Sequence, residues 1–187
     1  MPLSSNLVII FLSLFLILAG CLYVIADENL RFSLPEVKRG LFPMQVMASL
    51  IQVMPPRQVL DWCVRGYSIS AMQARERGLV THLSNQDDIK KLVKEINSFK
   101  KIDILINNAG INYSELNTDF SLDKFNKLID INLKSLFLLT QAVSKIMIKN
   151  KSGRIINIGS IAADRVRAGR SAYSTSKFGV IGFTKTI

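Results

Sequence analysis

The stretch that most constrains this chain is Arg154–Lys177, RIINIGSIAADRVRAGRSAYSTSK. It opens with Ile155-Ile156-Asn157-Ile158, a short β-branched run that predicts a buried strand ending at Gly159-Ser160. Tyr173 and Lys177 follow, four positions apart. On a helix, residues i and i+4 share a face, so this spacing brings a phenol and an ammonium into one small region. A neighbouring cation favours phenolate, which suits a tyrosine that gives up and takes back a proton. Ser160, at the strand end, can add a hydroxyl there. Upstream, Ile102–Asn107 reads as a second buried strand, with Asn108-Ala109-Gly110 as its turn. Ser121–Asn150 reads as one long helix packed through Leu122, Phe125, Ile129, Leu133 and Leu136, with Gly153 stopping it. Strands separated by helices predict an α/β fold with a parallel sheet.

These stretches resemble the short-chain dehydrogenase/reductase family, whose mark is a Ser followed by Tyr-x-x-x-Lys. Asp103-Ile104-Leu105-Ile106-Asn107-Asn108-Ala109-Gly110 is similar to the family's strand ending in Asn-Asn-Ala-Gly. Asp130-Ile131-Asn132-Leu133 is similar to its helical Asn motif. The likeness covers about residues 83–187 and is nearest to the beta-ketoacyl-carrier-protein reductases. It implies part of a doubly wound, Rossmann-like parallel sheet. It also implies hydride transfer between NADP or NAD and a carbonyl carbon, as in a 3-oxoacyl thioester. Tyr173 would then protonate the developing alkoxide, and Ser160 would hold the same oxygen. Lys177 would favour phenolate and bind the nicotinamide ribose, while Asn132 would hold a water linking Lys177 to solvent. Asn107, Ala109 and Gly110 would lie along the cofactor, the last two small enough for close backbone approach. On the residues alone, Ser160 reads equally as a strand-end cap and Asn132 as a helix hydrogen-bonder.

A dinucleotide fold rests its pyrophosphate on helix-terminal amides through a glycine-rich first turn. No T-G-x-x-x-G-x-G or G-x-G-x-x-G occurs here, and Gly40, Gly66 and Gly78 are isolated. The sequence therefore predicts that NAD(P)H binds weakly or not at all.

Residues 27–82 carry a different likeness. The segments ADENLRFSLPEVKRGLFPM, PPRQVLDWCVRG and YSISAMQARERGLVTHL resemble the enoyl-CoA hydratase/isomerase (crotonase) family. That resemblance implies Glu36 as an acid/base carboxylate acting on an acyl-CoA. The upstream segments that supply the oxyanion hole and the second carboxylate position are missing, and an enolate needs such pre-aimed donors. The two likenesses meet near His82. Just beyond, Ser84 and Asp87 form an S-x-x-D helix start before the stripe Ile89, Leu92, Val93, Ile96.

Leu7–Ala26 holds no charge, and twenty helical residues would cross a hydrocarbon layer of roughly 30 Å. Three readings stand: an apolar N-terminal helix that anchors the chain in a membrane, a cleaved signal, or a buried element of a soluble core. As an anchor, with Arg31, Lys38 and Arg39 following it, it would leave the C-terminal bulk cytoplasmic; without a membrane the chain would be soluble and cytoplasmic. The net charge is +10, with most of the excess beyond residue 82. No nucleic-acid motif accompanies it, so it reads as a solvated surface rather than a nucleic-acid interface. Two cysteines give no disulfide framework, and no cluster reads as a metal site. Three functional readings stay open: an incomplete, inactive nicotinamide-dependent reductase of acyl thioesters or other carbonyls, an acyl-CoA hydratase/isomerase through Glu36, and a non-catalytic fusion fragment. The 121–150 helix is the expected surface for a homo-oligomer.

Overall fold

The computed structural model describes residues 15, 19–34, 36–84, 89–165 and 167–187. Two compact units divide the chain, Met1–Asn85 and Gln86–Ile187.

The first unit carries two small strand pairs. β1 (Ile25–Asp27) runs parallel to β4 (His82–Ser84), and β2 (Arg31–Ser33) antiparallel to β3 (Ser68–Ser70). Between them lie α1 (Met44–Leu50), α2 (Pro56–Arg65) and α3 (Ala71–Glu76). Proline at the first turn of α2 needs no N–H, and Gly66 ends the helix in the left-handed region at φ 61°. Ser70 and Gln73 cap the start of α3 reciprocally. The core forms around Trp62, Phe32, Leu34, Val59 and Ile69, with the Phe15 ring 5.4 Å edge-on to Trp62.

No helix spans the whole of 7–26. Residues 7–14 and 16–18 lie outside the described residues, but the helical backbone ends at Ala19 and Ile25-Ala26 belong to β1. The physical reason is long-range: after the turn at Gly20, Thr81 fixes Val24 by accepting from its N–H at 2.9 Å and donating to its carbonyl at 2.8 Å. His82 lies in β4, stacked 4.0 Å from the Tyr23 ring. Ser84 ends β4, and the rest of the expected S-x-x-D start, Asp87 included, lies outside the described residues.

The second unit follows the predicted order: α4 (Ile89–Ile96), β5 (Ile104–Asn107), α5 (Leu122–Ile129), α6 (Ser135–Lys149), β6 (Arg154–Asn157) and α7 (Ser171–Thr186). β5 and β6 pair in parallel, Ile104 opposite Arg154 through Asn107 opposite Asn157. One sheet face, through Leu105 and Ile155, meets Leu92, Val93 and Ile96 of α4 and Val143 and Met147 of α6.

The long helix is not uniform. Asp130–Lys134 is a π turn between α5 and α6, and its extra residue shifts the phase of the buried stripe. Leu128, Asn132, Leu136, Thr140, Ala142, Val143 and Met147 are buried and Phe125, Ile129 and Leu133 half-buried, whereas Leu122, expected with them in the packed face, is 71% exposed. The stop also differs from the expectation. Lys151 takes the left-handed conformation (φ 51°), while a Cβ on Gly153 would stand 2.4 Å from Met147 Sδ. Gly153 is there for close approach, not to cap the helix.

Candidate active site

Polar residues placed inside apolar elements meet at the strand ends of the second unit. Asn107 ends β5 and is 7% exposed. Its Nδ2 donates to Thr140 Oγ1 on α6 at 3.0 Å and to Asn157 Oδ1 on β6 at 2.8 Å. Its Oδ1 is buried with no hydrogen-bond partner. Asn157 donates onward to Thr184 of α7 at 2.9 Å. Sequence reasoning missed Thr140 and Asn157; the signal for Asn157 was an amide inside the run Ile-Ile-Asn-Ile.

Asn132 sits in the π turn, fully buried. Its Oδ1 accepts from the Ile111 N–H at 2.7 Å, and its Nδ2 donates to the Ile111 carbonyl at 2.9 Å and to Ser176 Oγ at 3.0 Å. Both amide hydrogens are thereby used. The side chain ties the loop after β5 to α7. Ser176, also missed, extends the tie by donating to the Tyr173 carbonyl at 2.7 Å.

Tyr173 and Lys177 lie on α7 as the spacing predicts. Lys177 is buried, and its Nζ donates to the Ile158 carbonyl at 2.8 Å and lies 5.9 Å from the centre of the Tyr173 ring. Burial pushes its pKa down from the usual lysine value. A Cβ added to Gly110 would stand 3.4 Å from Asn132 Oδ1 and 3.6 Å from Lys177 Nζ. Gly110 therefore turns its side-chain-free face to Asn132 and the Lys177 ammonium, at ordinary contact distance. Ala109, next to it, is exposed. Ser160 follows β6 in extended backbone and caps the turn Ile161–Ala163, accepting from the Ala162 N–H at 3.1 Å. In that role its O–H remains able to donate.

Glu36 belongs to the first unit, at the start of the turn Val37–Arg39. One of its carboxylate oxygens is buried with no hydrogen-bond partner. What it faces is Cys63, whose thiol is pushed up to about 11, first by burial and then by this carboxylate. Among the described residues no group of three His, Cys, Asp or Glu could hold a metal ion.

The residues fit a nicotinamide cofactor at one end. The Lys177 ammonium beside Gly110 would suit the hydroxyls of a ribose, and the unpartnered Asn107 acceptor would suit a carboxamide donor. For the pyrophosphate end the chain has no glycine-rich turn.

The profile of the short chain dehydrogenase family matches residues 67–187, well over half of the chain. The chain belongs to that family. The match begins at residue 67, inside the stretch expected from its sequence to be crotonase-like. Among relatives of this short-chain dehydrogenase, the 3-oxoacyl-[acyl-carrier-protein] reductase of Synechocystis sp. is 47% identical over 107 residues, covering 57% of this chain and 43% of the relative. The acetoacetyl-CoA reductase of Acinetobacter sp. is 39% identical over 112 residues, covering 59% and 45%. In structure the family's α/β, Rossmann-like fold is matched by serine dehydrogenase of Escherichia coli, with a TM-score of 0.55 at 30% identity over 62% of this chain and 56% of the other. It is matched also by a 4-hydroxyisoleucine dehydrogenase complexed with NADH, with a TM-score of 0.51 at 35% identity over 56% and 49%. The chain spans about half the length of the curated relatives it matches.

Proposed function

We propose that residues 86–187 form the catalytic half of a nicotinamide-dependent reductase acting on the 3-oxo carbonyl of an acyl thioester. The observation that carries this reading is the buried Lys177, bonded to the Ile158 carbonyl, beside the Tyr173 ring and packed against the side-chain-free face of Gly110. The printed activities of the Synechocystis and Acinetobacter relatives support the thioester substrate.

Lys177, beside Gly110, would hold a nicotinamide, which when bound would supply the hydride for the carbonyl carbon. Tyr173 gives its hydroxyl proton to the oxygen as charge develops there, a contribution of about 10² to 10⁴ in rate for a positioned acid. Ser160, accepting from Ala162, donates its own O–H to the same oxygen and stabilises the forming charge. Lys177 holds a positive charge next to the phenol, and the Ile158 carbonyl fixes its direction. Asn132 and Ser176 are positioning residues: they lock the Ile111 loop to α7 and so hold Gly110 beside Lys177.

Only the nicotinamide end of the site is supported by side chains, which makes binding testable by halves. Reduced nicotinamide mononucleotide should bind within about threefold of NADPH, since the adenine-phosphate arm adds little, and Lys177→Met should weaken both. Affinity for NADPH more than about tenfold above the mononucleotide would overturn this half-site, and no binding of either would overturn the reading. With acetoacetyl-CoA and millimolar NADPH, Tyr173→Phe should lower NADPH oxidation at least about 100-fold. A Tyr173→Phe rate within about threefold of the parent removes Tyr173 from the role.

A further inference from the structure

We infer that the cavity at the start of α7 binds a small aliphatic carboxylate. The cavity has a volume of about 450 Å³, within the range of about 300–1,000 Å³ that takes small ligands. Every residue lining it belongs to the second unit. The loop after β5 contributes Leu116 and Asn117, the turn before α7 contributes residues 167–169, and α7 contributes Ser171 and Ser174. Two hydrogen bonds fix the loop and the turn to each other. Gly169 takes the left-handed conformation (φ 76°), and its carbonyl accepts from the Glu115 N–H at 3.0 Å. Ser171 Oγ donates to Asn117 Oδ1 at 3.0 Å.

Three features of this cavity favour an anion. First, α7 is 16 residues long and no side chain caps its start: Arg170 holds the cap position, and Ser171 spends its hydroxyl on Asn117. The first turn therefore keeps the partial positive charge of a helix N-terminus. Second, Ser174 lies one turn along on the same face as Ser171 and lines the cavity. It is only 6% exposed, and its buried Oγ has no hydrogen-bond partner. A buried hydroxyl without a partner is costly, and a ligand acceptor in the cavity would remove that cost. Third, Arg167 brings a guanidinium to the same cavity, in a turn that carries Arg165, Arg167 and Arg170 against one acid, Asp164. Glu115, the acid on the facing loop, is paired with Lys124.

The rest of the lining narrows the ligand. Leu116, Ala168 and Gly169 have no polar side-chain atoms, so the ligand must carry hydrocarbon as well as charge. One guanidinium and one hydroxyl match a single charge spread over two oxygens. A phosphate group, with three free oxygens and more charge, needs more donors than Arg167 and Ser174 supply. The carboxylate accepts from Ser174 and Arg167 at the helix start, and its chain lies along Leu116 and Ala168. None of these groups takes part in the proposed reduction, so the site stands or falls independently of it.

The test titrates the isotope-labelled full chain with hexanoate, hexanol and inorganic phosphate at constant ionic strength, following amide resonances. Hexanoate should saturate with a Kd of about 1 mM or tighter, shifting the amides of Ser171–Ser174 and of Leu116 and Asn117. Hexanol, which lacks the charge, and phosphate, which lacks the chain, should each bind at least about tenfold more weakly. Ser174→Ala should weaken hexanoate about tenfold, the loss expected for one hydrogen bond to a charged group. Arg167→Met lies in the turn rather than in the packed core, so circular dichroism should be unchanged while affinity falls about threefold. No saturation by about 20 mM hexanoate would overturn the inference, as would shifts that avoid the start of α7. Parental affinity in either variant would overturn it too, and so would hexanol or phosphate binding as tightly as hexanoate.

Discussion

Asn132→Ala removes three hydrogen bonds through one side chain, two to the Ile111 backbone and one to Ser176. A net intramolecular hydrogen bond contributes about 0.5–1.5 kcal/mol, so three bracket a loss of about 1.5–4.5 kcal/mol. Two features of the site push towards the lower half. Ile111 is only half-buried, so water can reach its freed N–H and C=O. Ser176 keeps its bond to the Tyr173 carbonyl. Alanine also returns roughly 0.6 kcal/mol of helix propensity relative to asparagine. The expected net cost is about 2 kcal/mol. With a urea slope of about 2 kcal/mol per molar, the midpoint of the second unit should fall by about 1 M. The chain itself supplies the control: its single tryptophan, Trp62, is buried in the first unit, whereas the longest helices, α6 and α7, lie in the second. Far-ultraviolet circular dichroism should show the shift and tryptophan fluorescence should not. A dichroism midpoint that moves by less than about 0.2 M would refute the clamp, and equal displacement of both probes would show that its effect is not local.

Burial lowers the Lys177 pKa below its usual 10.5, so on raising the pH the folded chain releases this proton before the unfolded chain does. Stability relative to Lys177→Met should therefore rise between the lowered pKa and 10.5, with the burial cost present in full below that window; a difference that is flat in pH across denaturation series contradicts this. Gly182 of α7 has open space where a Cβ would go, so Gly182→Ala should stabilise by about 1 kcal/mol. At Gly179 the added Cβ would stand 2.8 Å from Leu133 Cδ2, and the required shift should cancel much of that gain; equal thermal shifts for the two variants would show that the contact is slack. Cys63 is fully buried with its thiol pushed up to about 11, so in a Cys21→Ser background it should resist Ellman's reagent at pH 8 until denaturant is added. Rapid stoichiometric reaction of the native protein would contradict that burial.

The order of elements in the second unit was legible because each was long or strongly periodic. The apolar runs around Ile104 and Ile155 could only be short strands between helices, and Tyr173 and Lys177 had to share a face once α7 formed. The family likeness was legible for the same reason, since its motifs are local. What local pattern could not carry was phase and partnership. The π turn at Asp130–Lys134 leaves no mark in composition, yet it carries the buried Asn132, while Leu122, in the first turn of α5, faces solvent. Ser176, Thr140 and Asn157 are ordinary polar residues until the fold brings them to Asn132 and Asn107 from 44, 33 and 50 positions away. The apolar run through Ala26 suggested a continuous helix, but Ile25 and Ala26 form a strand because β4, more than fifty residues later, offers them an edge. Periodicity set which elements form. Long-range hydrogen bonds, which no window of sequence contains, decided where each one ends and which buried amides it must satisfy.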